Sequence, residues 1–422
     1  MFRRLRFLFQ WGGDYLSVLN LALLLSFFCF VYFGLNLYIG VTLYLPVFLL
    51  CILRFASKDK STRVGWLDCV VLIFVALNLI SGLGVFFGGL DASSFLKSVP
   101  YIVFPIFLYY YCSLAPEGRD LERGFFLPFV FWLLFSIVFG FYFQVFPDDA
   151  YVRFIVEING EGYLAEGSAI PRMYSYFYSS VVGAISALGV PALFYMHSID
   201  RRVPLHVGLA VLAVGCALSL ARVSWVVFLF EYIICVILFK RYGQLVLLLV
   251  LVPLLIFLVP NLVGDNIYFE IIRSKFEGGA QIAFDERLLQ YDFANNYIAQ
   301  HPFGGGLGAF GHKSVLPNEE RITDANYHRI FAELGWLGGL IFFGLLASFA
   351  IACFRRIRVD DFYVCAFGML AGFMVVGVGT NIFDYNYSSN VFWALCGVVS
   401  WRLKRDARDR SVDLGVRRSA SP

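Results

Sequence analysis

Charge is scarce in this chain. Only 15% of its 422 residues are Asp, Glu, Lys or Arg, while 60% are hydrophobic. A soluble domain carries about 25% charged and about 45–50% apolar residues. The shortage excludes a solvated globular domain as the main body of the protein. Cysteines are few in the polar segments. Cys29, Cys51, Cys69, Cys112, Cys216, Cys235, Cys353, Cys365 and Cys396 all fall inside or at the edge of apolar runs, and no two form a C-x-x-C pair. Neither a disulfide framework nor a zinc site is expected, and the thiols read as small apolar side chains. There is no internal repeat and no coiled-coil heptad pattern. No G-K-[S/T] follows the glycine run at 304–308, so a nucleotide-binding P-loop is excluded. Nothing in the composition asks for a metal, a cofactor or a nucleic-acid partner.

What the chain has instead is a series of apolar runs. Each approaches the roughly 20 residues that a helix needs to cross a bilayer core of about 30 Å. Twelve such spans are expected, at 15–34, 36–53, 65–86, 95–113, 124–146, 174–197, 204–219, 223–239, 245–262, 329–353, 362–381 and 388–401. The boundary between the first two, at Gly34 and Leu35, is the weakest. The apolar stretch FLFQWGG near the start is too short for a cleavable signal, so the first span is expected to be an anchor helix.

Orientation follows from Lys and Arg in the short loops. The segments FRRLR, RFASKDKSTR, APEGRDLER, DRR, KR, FRRIR and the tail from RLKRDARDR onward all carry Lys or Arg and alternate along the chain. Placing them in the cytoplasm puts both termini there. The expected fold is an all-α polytopic membrane protein, one integral domain over residues 1–422 with about 12 transmembrane helices. Two large loops, 147–173 and 264–328, face the opposite, outer side, and residues 402–422 form a basic cytoplasmic tail.

The outer loops hold the chemistry-bearing residues. Arg172 precedes the sixth span, Arg222 lies in LSLARVSW between the seventh and eighth, and Arg287 lies in DERLLQYDF. An arginine at a membrane boundary is either functional or paired, because an unpaired buried charge there is costly, or else it snorkels to the interface. Arg153, Arg273, Lys275, Lys313, Arg321 and Arg329 complete the outer basic set. For Arg153, Arg273 and Arg321 a solvated or structural role is expected. Several arginines near one membrane surface suit a diphosphate, which a planar guanidinium grips in a bidentate way. Gly304, Gly305, Gly306 and Gly308 in HPFGGGLGAFGH read in two ways. Their backbone N–H groups form an anion-binding concavity, or the glycines make tight turns that fold the loop back onto the bundle. Glu231, inside the eighth span, is either a functional group or a distant partner of Arg222. Tyr174, Tyr176, Tyr178, Tyr291, Tyr297, Tyr385 and Tyr387 either stack on sugars or belong to the interfacial aromatic belt. His301 and His312 read as loop-structuring or solvated.

The run from Arg287 through HPFGGGLGAF to DANYHRIFAELGWLGGL resembles the signature of the O-antigen ligase and O-antigen polymerase superfamily. The matching residues are Pro302, Gly304, Gly306, Gly308, Glu333 and Gly335, a proline-glycine turn followed by a Glu-x-Gly that opens the next membrane helix. LSLARVSW resembles the family's Ser-Arg segment, with Ala221 where Ser is usual. The resemblance implies a helical fold similar to GT-C glycosyltransferases and a metal-independent transfer at the periplasmic face of a bacterial inner membrane. The donor it implies is a glycan on undecaprenyl diphosphate. A chain-length regulator and a flippase are the membrane partners.

On that reading Arg172, Arg222 and Arg287, with Gly304 and Gly306, hold the diphosphate. Arg222 and Arg287 also act in catalysis by stabilising the leaving group. One departure matters. Ligases of the family carry a His-Asn pair where this chain has Asp324 and Ala325, and His328 follows one helical turn later. Asp324 or His328 is therefore the expected general base, Asp324 having a helix N-cap as its ordinary alternative role. Glu333 either pairs with an arginine or lines the cleft, and Glu333 and Asp292 are the next candidates for the base. The missing His-Asn pair favours a polymerase over a ligase. A transporter or flippase shares the twelve-helix layout. However, the chain has no long central linker, its 54–66 loop lacks the Gly-x-x-x-Asp-Arg pattern of major facilitators, and a transporter needs no outer loop of this length.

Overall fold

The computed structural model describes residues 64–85, 91–115, 120–146, 179–219, 221–244, 279–311, 314–317 and 321–419. The expected spans 15–34, 36–53 and 245–262, the loop 147–173, and Arg153, Arg172, Arg273, Lys275, His312 and Lys313 lie outside them. Among the described residues all regular structure is helical.

Eleven α-helices are described: α1 (Trp66–Ser81), α2 (Ala92–Ile102), α3 (Ile106–Ser113), α4 (Leu121–Val145), α5 (Ser179–Ile199), α6 (Leu205–Leu218), α7 (Arg222–Leu238), α8 (Gly279–Gln300), α9 (Asn326–Phe354), α10 (Asp361–Gly379) and α11 (Asn386–Ser419). Six stretches are long and apolar enough to cross a membrane: Trp66–Val85, Ala92–Ser113, Leu121–Tyr142, Val181–Ile199, Asn326–Phe354 and Asp361–Gly379. The expected span at 95–113 is two helices, α2 and α3, broken at Val103–Pro105, where proline withholds a backbone donor. The expected tail at 402–422 begins inside α11, which runs unbroken from its apolar half into its charged half.

Helix α5 is the hub. It packs on α4, α6, α7 and α10, and glycines of α6 let the two backbones approach closely. A Cβ on Gly215 of α6 would fall 2.7 Å from the Ser186 hydroxyl of α5, and one on Gly208 would fall 2.5 Å from Leu193. In a bilayer the lipid is as apolar as leucine, so close approach of backbones replaces hydrophobic exclusion as the packing force. Leu72, Ile80, Val138, Val207, Val226, Leu340 and Val378 accordingly point outward and are exposed.

The helices have two ends with different chemistry. At one end Arg402 of α11 binds Glu122 of α4 at 2.5 Å, Asp360 at 2.6 Å and Asp406 at 3.3 Å. Nearby, Lys404 reaches the buried Asp68 of α1 at 2.7 Å, and Tyr109 and Ser113 of α3 donate to the same carboxylate at 2.8 and 3.0 Å. The basic turns 200–202, 240–241 and 355–358 share this end, as the alternation of charge along the sequence requires. The opposite end carries the start of α7, the end of α10, α8 and the start of α9. Where the sequence promised a loop over 264–328, a 22-residue helix, α8, crosses this end and packs along α9.

Candidate functional site

The C-terminal end of α10 is the point of convergence. Its last carbonyls have no partner within the helix, and Tyr291 of α8 supplies one, donating to the Val378 carbonyl at 3.2 Å. One turn earlier, Tyr327 of α9 donates to the Met374 carbonyl at 2.6 Å. Beside them, the place that a Cβ would occupy on Gly379 lies 3.6 Å from Val223 and 3.9 Å from the Arg287 guanidinium. The end of α10 thus brings Arg287 and the residue after Arg222 to one spot.

Arg222 is the first residue of α7, with Ala221 as N-cap. A cation at a helix N-terminus adds to the positive end of the helix dipole rather than opposing it. Such a combination favours an anion. Arg287 is half-buried, and its Nε is buried with no hydrogen-bond partner among the described residues.

The entrance to α9 is fixed by α8. Gln290 accepts the backbone N–H groups of Thr323 and Asp324 through Oε1, each at 3.1 Å, and donates from Nε2 to the Thr323 hydroxyl at 3.3 Å. Asn381 donates to the Ile322 carbonyl at 2.6 Å. The N-cap of α9 is Ala325, so Asp324 stands one residue before the cap position that its ordinary role would have given it. His328, one turn into α9, stacks on Tyr291 with ring centroids 4.4 Å apart and planes 19° from parallel. Asp324 and His328 are both half-buried.

The glycine run has a different task from an anion cradle. Helix α9 breaks at Gly335, whose φ of 68° and ψ of −174° suit glycine alone. A break frees backbone groups that need partners, and the 302–306 turn provides them. Gly305 N–H donates to the Ala332 carbonyl and Gly306 N–H to the Glu333 carbonyl, both at 2.8 Å, while Trp336 N–H donates to the Pro302 carbonyl at 3.0 Å. Gly304 N–H donates to the His301 carbonyl at 2.9 Å. The amides of Gly304 and Gly306, expected to face a diphosphate, are engaged with carbonyls of the protein. Their positive φ values of 80° and 94° shape the turn that docks on the broken helix.

Beneath the break, Arg329 and Glu333 form a buried pair at 3.2 Å. Arg329 also donates to the Asn326 side-chain oxygen at 3.1 Å, and Glu333 Oε1 accepts the N–H groups of Gly311 at 3.1 Å and Phe310 at 3.3 Å. Arg329 is therefore an internal strut beneath the site, and Glu333 binds an arginine rather than solvent. The i, i+4 spacing of the two was visible in the sequence as a helix-face pair. Arg321 donates to the Leu316 carbonyl at 2.6 Å, a structural role as expected. His301 stacks on Tyr297 at 4.2 Å in the turn. Glu231 lies about 13 Å along α7 from Arg222 at 1.5 Å per residue. Its carboxylate packs on Gly368 and Gly372 of α10. Sequence reasoning passed over Gln290 and Asn381, which fix the entrance to α9; a polar amide in a loop carries no signal until its partner is known.

Residues 207–343 match the family model of O-antigen ligase. The matched segment runs from α6 through α7 and α8 to just past the break in α9, and so contains Arg222, Arg287, the glycine turn, Asp324, His328 and the Glu333-x-Gly335 element. The match supports the O-antigen ligase and polymerase superfamily. No curated protein matches the chain. The family implies a glycosyltransferase-like membrane enzyme of O-antigen or polysaccharide assembly.

Proposed function

We propose that the protein polymerises lipid-linked oligosaccharide repeat units into a surface polysaccharide or O-antigen, at the periplasmic face of a bacterial inner membrane. The observation that carries this reading is the meeting of Arg287, the α7 N-terminus at Arg222 and the end of α10 within one family-matched segment. The donor is a glycan on undecaprenyl diphosphate. As the bond from the anomeric carbon to the diphosphate oxygen breaks, negative charge builds on the leaving group. Arg222 and Arg287, with Arg172, stabilise that charge, supplying the positive charge in place of a divalent metal. A single preorganised donor of this kind is worth about 2.7–4 kcal/mol of barrier. The acceptor hydroxyl forms the new bond to the anomeric carbon and gives its proton to Asp324 or His328. Gly304 and Gly306 act through the turn that holds the broken helix, so their part in this reading is indirect.

The absence of His-Asn at 324–325 supports a polymerase. A ligase that transfers the glycan to lipid A-core is the second reading, favoured by the matching model's own description and by His328, one turn further on. Flipping of the same lipid-linked glycan is the reading of another class, and nothing in the site favours it. A chain-length regulator and a flippase are the membrane partners of the proposed reaction. The surface glycan of a deletion strain separates polymerase from ligase. Core capped by single repeats is the polymerase outcome, core bare of all repeats the ligase outcome, and unchanged chain length ends both.

A further inference from the structure

At the end of the bundle opposite the arginine site, three turns border an open cleft of about 1210 Å³. It is lined by Arg201 from the α5–α6 turn, Lys240 and Arg241 after α7, and Arg358 from the α9–α10 turn. Ile199, Ile237, Phe239 and Val359 give it an apolar wall. The carboxylates in the lining are largely committed elsewhere. Glu122 and Asp360 are both bound by Arg402, and Asp360 also caps α10 through the Phe362 N–H at 2.8 Å. Only Asp361 remains to face four cations. None of those four makes a side-chain hydrogen bond or ion pair among the described residues, whereas Arg402, Arg329 and Lys404 all do.

The end of α7 places two of these cations on one turn, next to a third. Lys240 has φ of 57°, the single non-glycine residue with positive φ among those described. The left-handed turn is a Schellman cap on the end of α7, with the Lys240 N–H on the Ile237 carbonyl at 3.1 Å. That turn sends the chain back so that the Arg241 N–H bonds the Val236 carbonyl at 2.8 Å, and it sets Arg241 beside Arg201. Burial and then the like charge of Arg201 push the Arg241 guanidinium below its ordinary range, against the weaker pull of Asp361. Two cations held together under mutual repulsion, over an apolar wall at a membrane surface, are half of a recognition site.

We propose that this cleft binds the phosphate headgroup of an anionic phospholipid, with Arg201, Lys240, Arg241 and Arg358 on the phosphate and the apolar wall against the first part of the acyl chains. Basic pockets between membrane helices on the side with the positive loops take such headgroups, at about fivefold in affinity per cation near the surface. A compact free anion shares the phosphate chemistry but leaves the apolar wall uncovered. The site lies away from the glycan chemistry and does not depend on that reading.

The test uses the full-length protein in nanodiscs of phosphatidylethanolamine doped with phosphatidylglycerol. Lipid retained through native mass spectrometry is counted, with and without millimolar inorganic phosphate. The variant is Arg201→Gln/Lys240→Asn/Arg241→Gln, asparagine being chosen because it tolerates positive φ. Arg358→Gln alone is the milder second variant, on an exposed residue whose loss leaves the fold intact. Phosphatidylglycerol is expected to be retained selectively by the wild type, with retention about fivefold lower in Arg358→Gln and lower still in the triple variant. Arg405→Gln, a surface cation over the Trp401 ring, is expected to retain lipid like the wild type. Equal retention in wild type and triple variant overturns the proposal, as does displacement of the lipid by inorganic phosphate alone, which assigns the cleft to a free anion.

Discussion

Gly304 and Gly335 hold each other's backbones in place. A Cβ on Gly304 would fall 2.4 Å from the Gly335 nitrogen and 2.4 Å from the Glu333 carbonyl oxygen, while one on Gly335 would fall 2.4 Å from the Pro302 carbonyl oxygen. Two family-motif elements well separated in sequence are thus two sides of one joint. Alanine at Gly335 meets both the clash and a left-handed φ of 68°, and alanine at Gly304 meets the same two obstacles at φ 80°. Each substitution is expected to lower stability by at least about 1–2 kcal/mol from the backbone alone, read as a drop in melting temperature in detergent. The double variant is expected to be less destabilised than the sum, because both single changes open the same joint. Additive losses would show that the two glycines serve separate structures.

Arg222→Ala and Arg287→Ala are each expected to reduce polymer by about 10²–10³ while the protein inserts normally, the size of one lost preorganised donor. Lysine at either position is expected to rescue poorly, since a point charge does not reproduce a bidentate fork. Polymer length on gels, normalised to membrane-inserted protein, is the measurement. Wild-type polymer from either alanine variant at native expression removes that residue from the site.

Asp324→Asn and His328→Gln identify the base. Asparagine keeps the shape of the Asp324 side chain and loses its basicity. If Asp324 is the base, Asp324→Asn is as inactive as Asp324→Ala, and His328→Gln stays active. The reverse pattern moves the role to His328, and Tyr291→Phe should then stay active because it keeps the ring that His328 stacks on, whereas Tyr291→Ala should not. Full activity in both Asp324→Asn and His328→Gln clears them and turns attention to Asp292.

Arg329→Met leaves Glu333 buried with its charge uncompensated, and breaking a buried pair from one side costs about 3–5 kcal/mol. The side chains are only 2% exposed, so solvent screening relieves little of this. Adding Glu333→Gln removes the stranded charge and keeps an oxygen for the Phe310 and Gly311 amides. Thermal unfolding should therefore show the double variant recovering part of the loss. A double variant less stable than Arg329→Met would show that Glu333 is stabilised by something other than this arginine.

Topology is checked with single cysteines. Phe303 is 92% exposed in the glycine turn, and Phe303→Cys is expected to react with an impermeant maleimide from the periplasm. Arg358→Cys is expected to react only once the cytoplasmic face is opened. Inverted labelling would put the arginine site on the face away from the proposed donor.

The sequence by itself determined that the described body is built of apolar helices and that their basic connections gather at one end. The cost of burying a charge or an unpaired backbone group in hydrocarbon is local, so long apolar runs must be helices and their basic connections must lie together. That is why α1, α4, α5, α9 and α10 fall where the apolar runs lie, and why the turns at 200–202, 240–241 and 355–358 meet at one end. Only the tertiary structure decided the rest. Helix α8 has too little apolar bias to announce itself, and it forms an edge of the site because Tyr291 and Gln290 find carbonyl and amide partners on α10 and before α9. The glycines at 304 and 306 read equally well as an anion cradle or a docked turn until the broken helix at Gly335 took up their amides. Glu231 had no identifiable neighbour until α10 presented Gly368 and Gly372 to it. In each case the partner lies far away along the chain, and packing, not periodicity, selects it.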